Sequence, residues 1–113
     1  MPISTPDYSI LSHEKIANSI GLKLKHIPIL ISSFLQETPQ ILQTLEDAIN
    51  SKDYLAIKLQ THSLKGTTSS LKFDEIYEML EELESAASDE NQDFEYEAYL
   101  QALKDAVATI PTL

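Results

Sequence analysis

Tyr54, Ile57, Thr61, Leu64, Thr68 and Leu71 follow one another at steps of 3, 4, 3, 4 and 3 residues. That spacing lays one continuous stripe along an α-helix and cannot be accommodated by the two-residue period of a strand. The same rhythm recurs upstream in Ile27, Ile31, Phe34, Thr38, Ile41, Leu45 and Ala48, with Leu35, Leu42 and Ile49 widening the stripe. It recurs downstream in Phe73, Ile76, Leu80, Leu83 and Ala87, and in Tyr96, Leu100, Leu103, Val107 and Ile110. A chain whose apolar residues keep helical time over most of its length must bury helix against helix.

Composition agrees. The 113 residues hold two glycines, Gly21 and Gly66, fewer than a sheet protein of this size needs for its turns. This length supports one domain with one core. The pattern predicts helices over about 9–20, 25–50, 53–71, 73–87 and 96–110. Gly21 is a stop for the first, and Asp53 is an N-cap for the third. Asp74 and Glu75 fall in the first turn of the fourth, where the helix dipole favours acid. Pro28 suits a first turn, whereas Pro39 removes a backbone donor and is expected to kink or split the second helix near Thr38. Pro111 should end the last. Short connections imply antiparallel neighbours. The expected fold is all-α: an antiparallel up-and-down four-helix bundle with a short extra N-terminal helix. Residues 1–8, with two prolines, are expected to form a loose arm, and residues 9–113 a single bundle domain.

Charge and residue types exclude several functions. The formal net charge is −10, and arginine is absent, so nucleic acid and anionic membranes are repelled. No segment is apolar enough over the length of a bilayer, and the N-terminus lacks the basic and apolar regions of a signal peptide. Cysteine is absent, which removes disulfides, thiolate metal sites and cysteine nucleophiles. Together these features lead us to expect a cytoplasmic protein. No Gly-rich phosphate loop or nucleophile–base pattern is present, which argues against an autonomous enzyme. His13 and His26 lack a context that suggests chemistry, and no metal site is expected. The acidic run Glu75, Glu78, Glu81, Glu82 and Glu84 is expected to be a solvated face.

The chemistry concentrates at His62. Lys52, Lys58, Lys65 and Lys72 are half of the chain's eight basic residues, and only Asp53 opposes them over 52–72. His62 belongs to the row Leu55, Leu59, His62, Gly66 and Ser69, which flanks the apolar stripe. Lys65 lies one turn on, where it can offset the charge of an incoming phosphoryl group. Lys58, one turn back, is a second cation, and Ser69, two turns on, is a hydroxyl donor. Gly66 costs a helix roughly 1 kcal/mol relative to alanine, and it clears space beside the ring. Unperturbed imidazole, with a pKa of about 6.5, keeps a nucleophilic neutral fraction at neutral pH. The constellation suits a residue that accepts a phosphoryl group and presents it to a partner.

His62-Ser63-Leu64-Lys65-Gly66 resembles the signature of histidine-containing phosphotransfer (HPt) domains. Phe34-Leu35-Gln36-Glu37-Thr38-Pro39-Gln40-Ile41-Leu42 resembles the preceding helix of that family, and Leu80-Glu81-Glu82-Leu83-Glu84 the following one. The resemblance covers roughly residues 10 to 110. It implies a four-helix bundle whose exposed His62 takes a phosphoryl group on Nε2 from an aspartate of a response-regulator receiver domain, or from a hybrid sensor histidine kinase, and passes it to another receiver. It implies no kinase activity and no cofactor of the chain's own, since the receiver supplies Mg²⁺. His62 would be the phosphoacceptor, with Lys65, Gly66, Lys58 and Ser69 as its neighbours. Leu55, Leu59 and Ser63 would serve partner docking, with a contribution from Ile27, Ile31 or Leu35. A monomer is expected. One position departs from the family pattern: Lys72 stands where a second glycine is common. That departure leaves open a rival reading, a helical interaction module that keeps the bundle and carries no phosphate.

Overall fold

The computed structural model describes residues 5–10, 13–21 and 23–111, and all regular structure among them is helical. The helices are α1 (His13–Ile20), α2 (Ile27–Asn50), α3 (Tyr54–Ser70), α4 (Asp74–Ser88) and α5 (Tyr96–Ala108), with a 3₁₀ turn, Leu24–His26, leading into α2. Each of α2 to α5 packs on two of the others, so the four close into a bundle, with α1 against α2. The whole is a rod of 43 × 24 × 22 Å.

The stripes meet along the rod axis. Ile27, Ile31 and Phe34 from α2, Ile57 and Leu64 from α3, Ile76, Leu80 and Leu83 from α4, and Tyr99 and Leu103 from α5 are buried together. Each fully buried aliphatic or aromatic side chain contributes about 1.5–3 kcal/mol relative to an exposed one. Two threonines of the α3 stripe, Thr61 and Thr68, are also buried, and their hydroxyls return to carbonyls of their own helix. They therefore enter the core without leaving a polar atom unmet.

Helix ends follow local chemistry. The Asp53 carboxylate accepts from the Ala56 amide at 3.1 Å and caps α3, as expected from its position. The helices α2, α3 and α4 each end at a left-handed residue that is not glycine. Lys52, Lys72 and Glu90 adopt φ of 56°, 61° and 51°. In each case the following amide reaches back five residues in the same pattern: Asp53 to Ala48, Phe73 to Thr68 and Asn91 to Ala86. This is the double-bonded left-handed helix terminus that glycine usually occupies. Lys72, the position where a glycine was expected, thus keeps the glycine-like backbone.

Four expectations need correction. Pro39 does not split α2, which runs unbroken for 24 residues. Pro39 is exposed while the stripe on the opposite face is buried, so the lost donor lies where water serves the freed carbonyl. The first helix begins at His13 and not near Ser9, because Ser9 and Ile10 form a bend. Residues 11 and 12, and the Ile20 side chain expected in its stripe, lie outside the described residues. The arm is not loose at Pro6 and Tyr8. Pro6 is buried, the Tyr8 ring packs at a tilt against Phe73 with centroids 4.8 Å apart, and the Tyr8 amide donates to Thr109 Oγ1 at 2.8 Å. Residues 1–4 of that arm lie outside the described residues. Finally, Ile27 and Ile31 offer no docking edge, since both are fully buried. The exposed apolar residue of that helix is Ile29, while Leu35 is half-buried.

Candidate functional site

Eight residues of α3 precede His62 and eight follow it. The buried stripe of Ile57, Thr61, Leu64 and Thr68 pins one face of α3 to the bundle. Geometry then turns the flanking row outward. Leu55, Leu59, His62, Gly66 and Ser69 are all exposed, and 76% of the His62 side-chain surface is open to solvent.

The ring is nevertheless held. Its Nδ1 lies 3.1 Å from Oε2 of Glu84, on the neighbouring helix α4. The other oxygen of Glu84 accepts from Lys65 Nζ at 2.6 Å. Lys65 and Glu84 are largely covered, with 17% and 18% of their side-chain surfaces exposed. The Lys65 ammonium also stands over the Tyr77 ring, 5.3 Å from its centroid. One carboxylate therefore bridges the imidazole and the ammonium.

The electrostatics of the bridge are mutually supporting. The hydrogen bond from Lys65 holds the Glu84 carboxyl below its ordinary value, against the opposing effect of burial, and His62 adds to the lowering. The same bond raises Lys65 above the ordinary lysine value. Glu84 is thus a carboxylate and can only accept. The proton of a neutral His62 consequently sits on Nδ1, and the lone pair sits on Nε2. Nε2 has no partner among the described residues. The site presents a nucleophilic nitrogen to solvent, with its tautomer set from behind by a carboxylate.

The residues singled out from the sequence are distributed unevenly around this centre. Lys65 does not stand free beside the ring, because α4 supplies a carboxylate that engages its ammonium. Lys58, one turn before His62, and Ser69, two turns after it, are exposed and make no bond to His62, Lys65 or Glu84. Leu55 and Leu59 are 66% and 57% exposed, large apolar side chains without cover. Ser63 and Gly66 line a groove of about 430 Å³ between α2 and α3, floored by Leu30, Phe34 and Leu71. A Cβ at Gly66 would meet nothing within 4 Å, so no packing inside the bundle requires a glycine there.

Glu84 is the residue that sequence reasoning missed. It was grouped with a solvated acidic face, and Glu75, Glu78, Glu81 and Glu82 are indeed exposed. Glu84 differs because it follows the buried Leu83 and lies one turn after the buried Leu80, at the edge of the core facing α3. That offset from the stripe was the available signal.

The four-helix bundle thus displays an exposed, oriented histidine from the middle of one helix. The Hpt domain family matches residues 29–111, and the chain belongs to that family, the phosphotransfer proteins of two-component signalling. Members of the family are phosphocarriers that interact with receiver domains and histidine kinases. Among solved structures, the histidine-containing phosphotransfer protein B (HptB) from Pseudomonas aeruginosa PAO1 is similar in fold, with a TM-score of 0.78 and 21% sequence identity. The similarity covers 95% of this chain and 90% of that one. No curated protein matches the chain in sequence. No helix among the described residues is long and apolar enough to cross a membrane.

Proposed function

We propose that this chain shuttles a phosphoryl group between receiver-domain aspartates, or from a hybrid sensor histidine kinase to a receiver, through His62. The observation that carries the reading is the Glu84–His62 contact, which directs the Nε2 lone pair outward. In the forward step Nε2 attacks the phosphorus of an aspartyl phosphate. The N–P bond forms as the P–O bond to the aspartate breaks, and the aspartate departs as a carboxylate. The ring becomes an N-phosphorylated imidazolium that keeps its Nδ1 proton. Glu84 stabilises that positive charge through a charge-assisted hydrogen bond. The return step reverses each of these changes on a second receiver.

Phosphoryl transfer depends chiefly on positioning and electrostatic stabilisation. This chain provides the nucleophile and its orientation, and the receiver domain would bring the Mg²⁺. Leu55 and Leu59 on one side of the ring, and the groove at Ser63 and Gly66 on the other, give a partner apolar surface and close approach. Lys58, one turn before His62, and Ser69, two turns after it, are exposed polar groups available to a bound phosphoryl. We further propose that the chain acts as a cytoplasmic monomer. The alternative, an interaction module without phosphate, rested on Lys72. That lysine adopts the backbone a glycine would favour, so the substitution lends the alternative no support.

Incubation with a phosphorylated receiver domain and Mg²⁺ tests the proposal. The chain should acquire an acid-labile, base-stable phosphoryl label, and His62→Gln should acquire none while retaining its helical circular dichroism. Label persisting in that variant would overturn the assignment.

A further inference from the structure

Tyr77 lies on α4, seven residues before Glu84 and therefore two turns along the same face. Its ring is half-buried, and the Lys65 ammonium stands 5.3 Å from the ring centroid while it donates to Glu84. A lysine side chain has four flexible bonds and loses up to about 2 kcal/mol of rotamer freedom when fixed. Glu84 alone would hold one end of that chain by a single contact. The ring face gives the cation a second attractive surface and restricts it to one side. The exposed carboxylate Glu81 lies on the same helix, close enough to act on the ammonium, and would otherwise compete for it.

This restriction bears on His62 through the shared carboxylate. Glu84 has two oxygens, one for Lys65 and one for His62. If the ammonium moves to another acid, the carboxylate is free to rotate, and the orientation of the imidazole is lost with it. From this arrangement we infer that Tyr77 is a positioning residue for the phosphoacceptor: its ring holds Lys65 on Glu84, and Glu84 in turn holds His62 with Nε2 outward. The inference rests on the phosphotransfer reading for its kinetic consequence, and on the ring–ammonium contact for its structural one. Tyr77 touches no reacting atom.

Four variants and two measurements test it. Tyr77→Leu keeps an apolar side chain but removes the ring face, and Tyr77→Phe keeps the ring face and removes the hydroxyl. Tyr77→Leu should slow phosphoryl transfer from a phosphorylated receiver by about threefold, in line with a single partly exposed cation–π contact. Tyr77→Phe should restore the wild-type rate. In a Lys65→Met background, adding Tyr77→Leu should change the rate no further, because its route to His62 is already gone. Independently of activity, nuclear magnetic resonance of the unphosphorylated protein should show ring-current-shifted Lys65 ε-methylene signals in wild type and Tyr77→Phe, and unshifted ones in Tyr77→Leu. Equal rates for wild type and Tyr77→Leu, an additive loss in the Lys65→Met background, or a Phe variant as slow as Leu would each overturn the inference. Absence of any label on wild-type His62 would instead defeat the phosphotransfer reading, while the Lys65 signals would still decide whether the ring holds the cation.

Discussion

Glu84 and His62 stand 22 residues apart in the chain and 3.1 Å apart in space, joined across the α3–α4 interface. The bond converts a surface histidine into an oriented one. It leaves the ring open on the side away from α4.

Replacing Glu84 by Gln keeps the shape of the side chain and removes its charge. The amide no longer attracts the ring cation that transfer creates, and the Lys65 contact weakens with it. Transfer to Glu84→Gln should slow by about tenfold, the rate equivalent of about 1.4 kcal/mol and near the low end for a hydrogen bond to a charged group. Nitrogen NMR of the imidazole should also show a larger share of the Nε2-protonated tautomer. An unchanged rate with an unchanged tautomer ratio would show that the carboxylate has no part in transfer.

The Lys65–Glu84 link predicts a pH dependence of stability. Glu84 is held below its ordinary value of 4.5, so its contribution is complete above that value and is lost as pH falls through the lowered one. Lys65 is raised above 10.5, so its contribution is complete below that value and is lost only as pH rises through the raised one. These are two views of one contact and are not to be added. Wild type should therefore exceed Lys65→Met in unfolding free energy at pH 7, and the difference should shrink toward zero at pH values below the carboxylate range. Urea denaturation at several pH values measures it. A difference independent of pH would contradict the link.

Gly66 separates fold from docking. A side chain there has open space and improves helix propensity, by about 1 kcal/mol for alanine. Gly66→Leu should melt no lower than wild type, yet bind a receiver domain at least tenfold more weakly, because the leucine fills the approach beside His62. Receiver binding that is equal or tighter would show that the cleared space serves no partner.

Lys72 at φ 61° carries a strain that glycine lacks. Lys72→Gly should raise the unfolding free energy by about 0.5–1 kcal/mol, part of the relief being offset by the greater freedom of glycine in the unfolded chain. Equilibrium urea unfolding would detect it. A destabilised glycine variant would mean that the lysine stem contributes packing that outweighs its backbone cost.

The bundle was legible because its helices announce themselves one at a time. The 3-4 steps from Tyr54 to Leu71 fix which face of α3 is buried, and that alone turns Leu55, Leu59, His62 and Gly66 outward. What lay beyond reach depends on how two helices are set against each other. Glu84 lies nearer the apolar stripe than Glu81 or Glu82, but only the register of α4 on α3 brings its carboxylate to His62. The same limit hid the engagement of Lys65. Ile27 and Ile31 read as possible docking residues because a stripe does not say how wide its covered sector is, and the bundle buries both. Tyr8 escaped notice because two prolines suggest a free arm, while the aromatic ring between them and the first helix finds Phe73.

The central placement of His62 on the flank of a rod has one more consequence under the proposed function. A donor and an acceptor must both reach the same nitrogen, and the rod offers that nitrogen from one side only. The two cannot be bound together. The phosphohistidine has to outlast the departure of the first partner and the arrival of the second, so the relay works by successive visits, and its throughput is bounded by how quickly each visitor leaves.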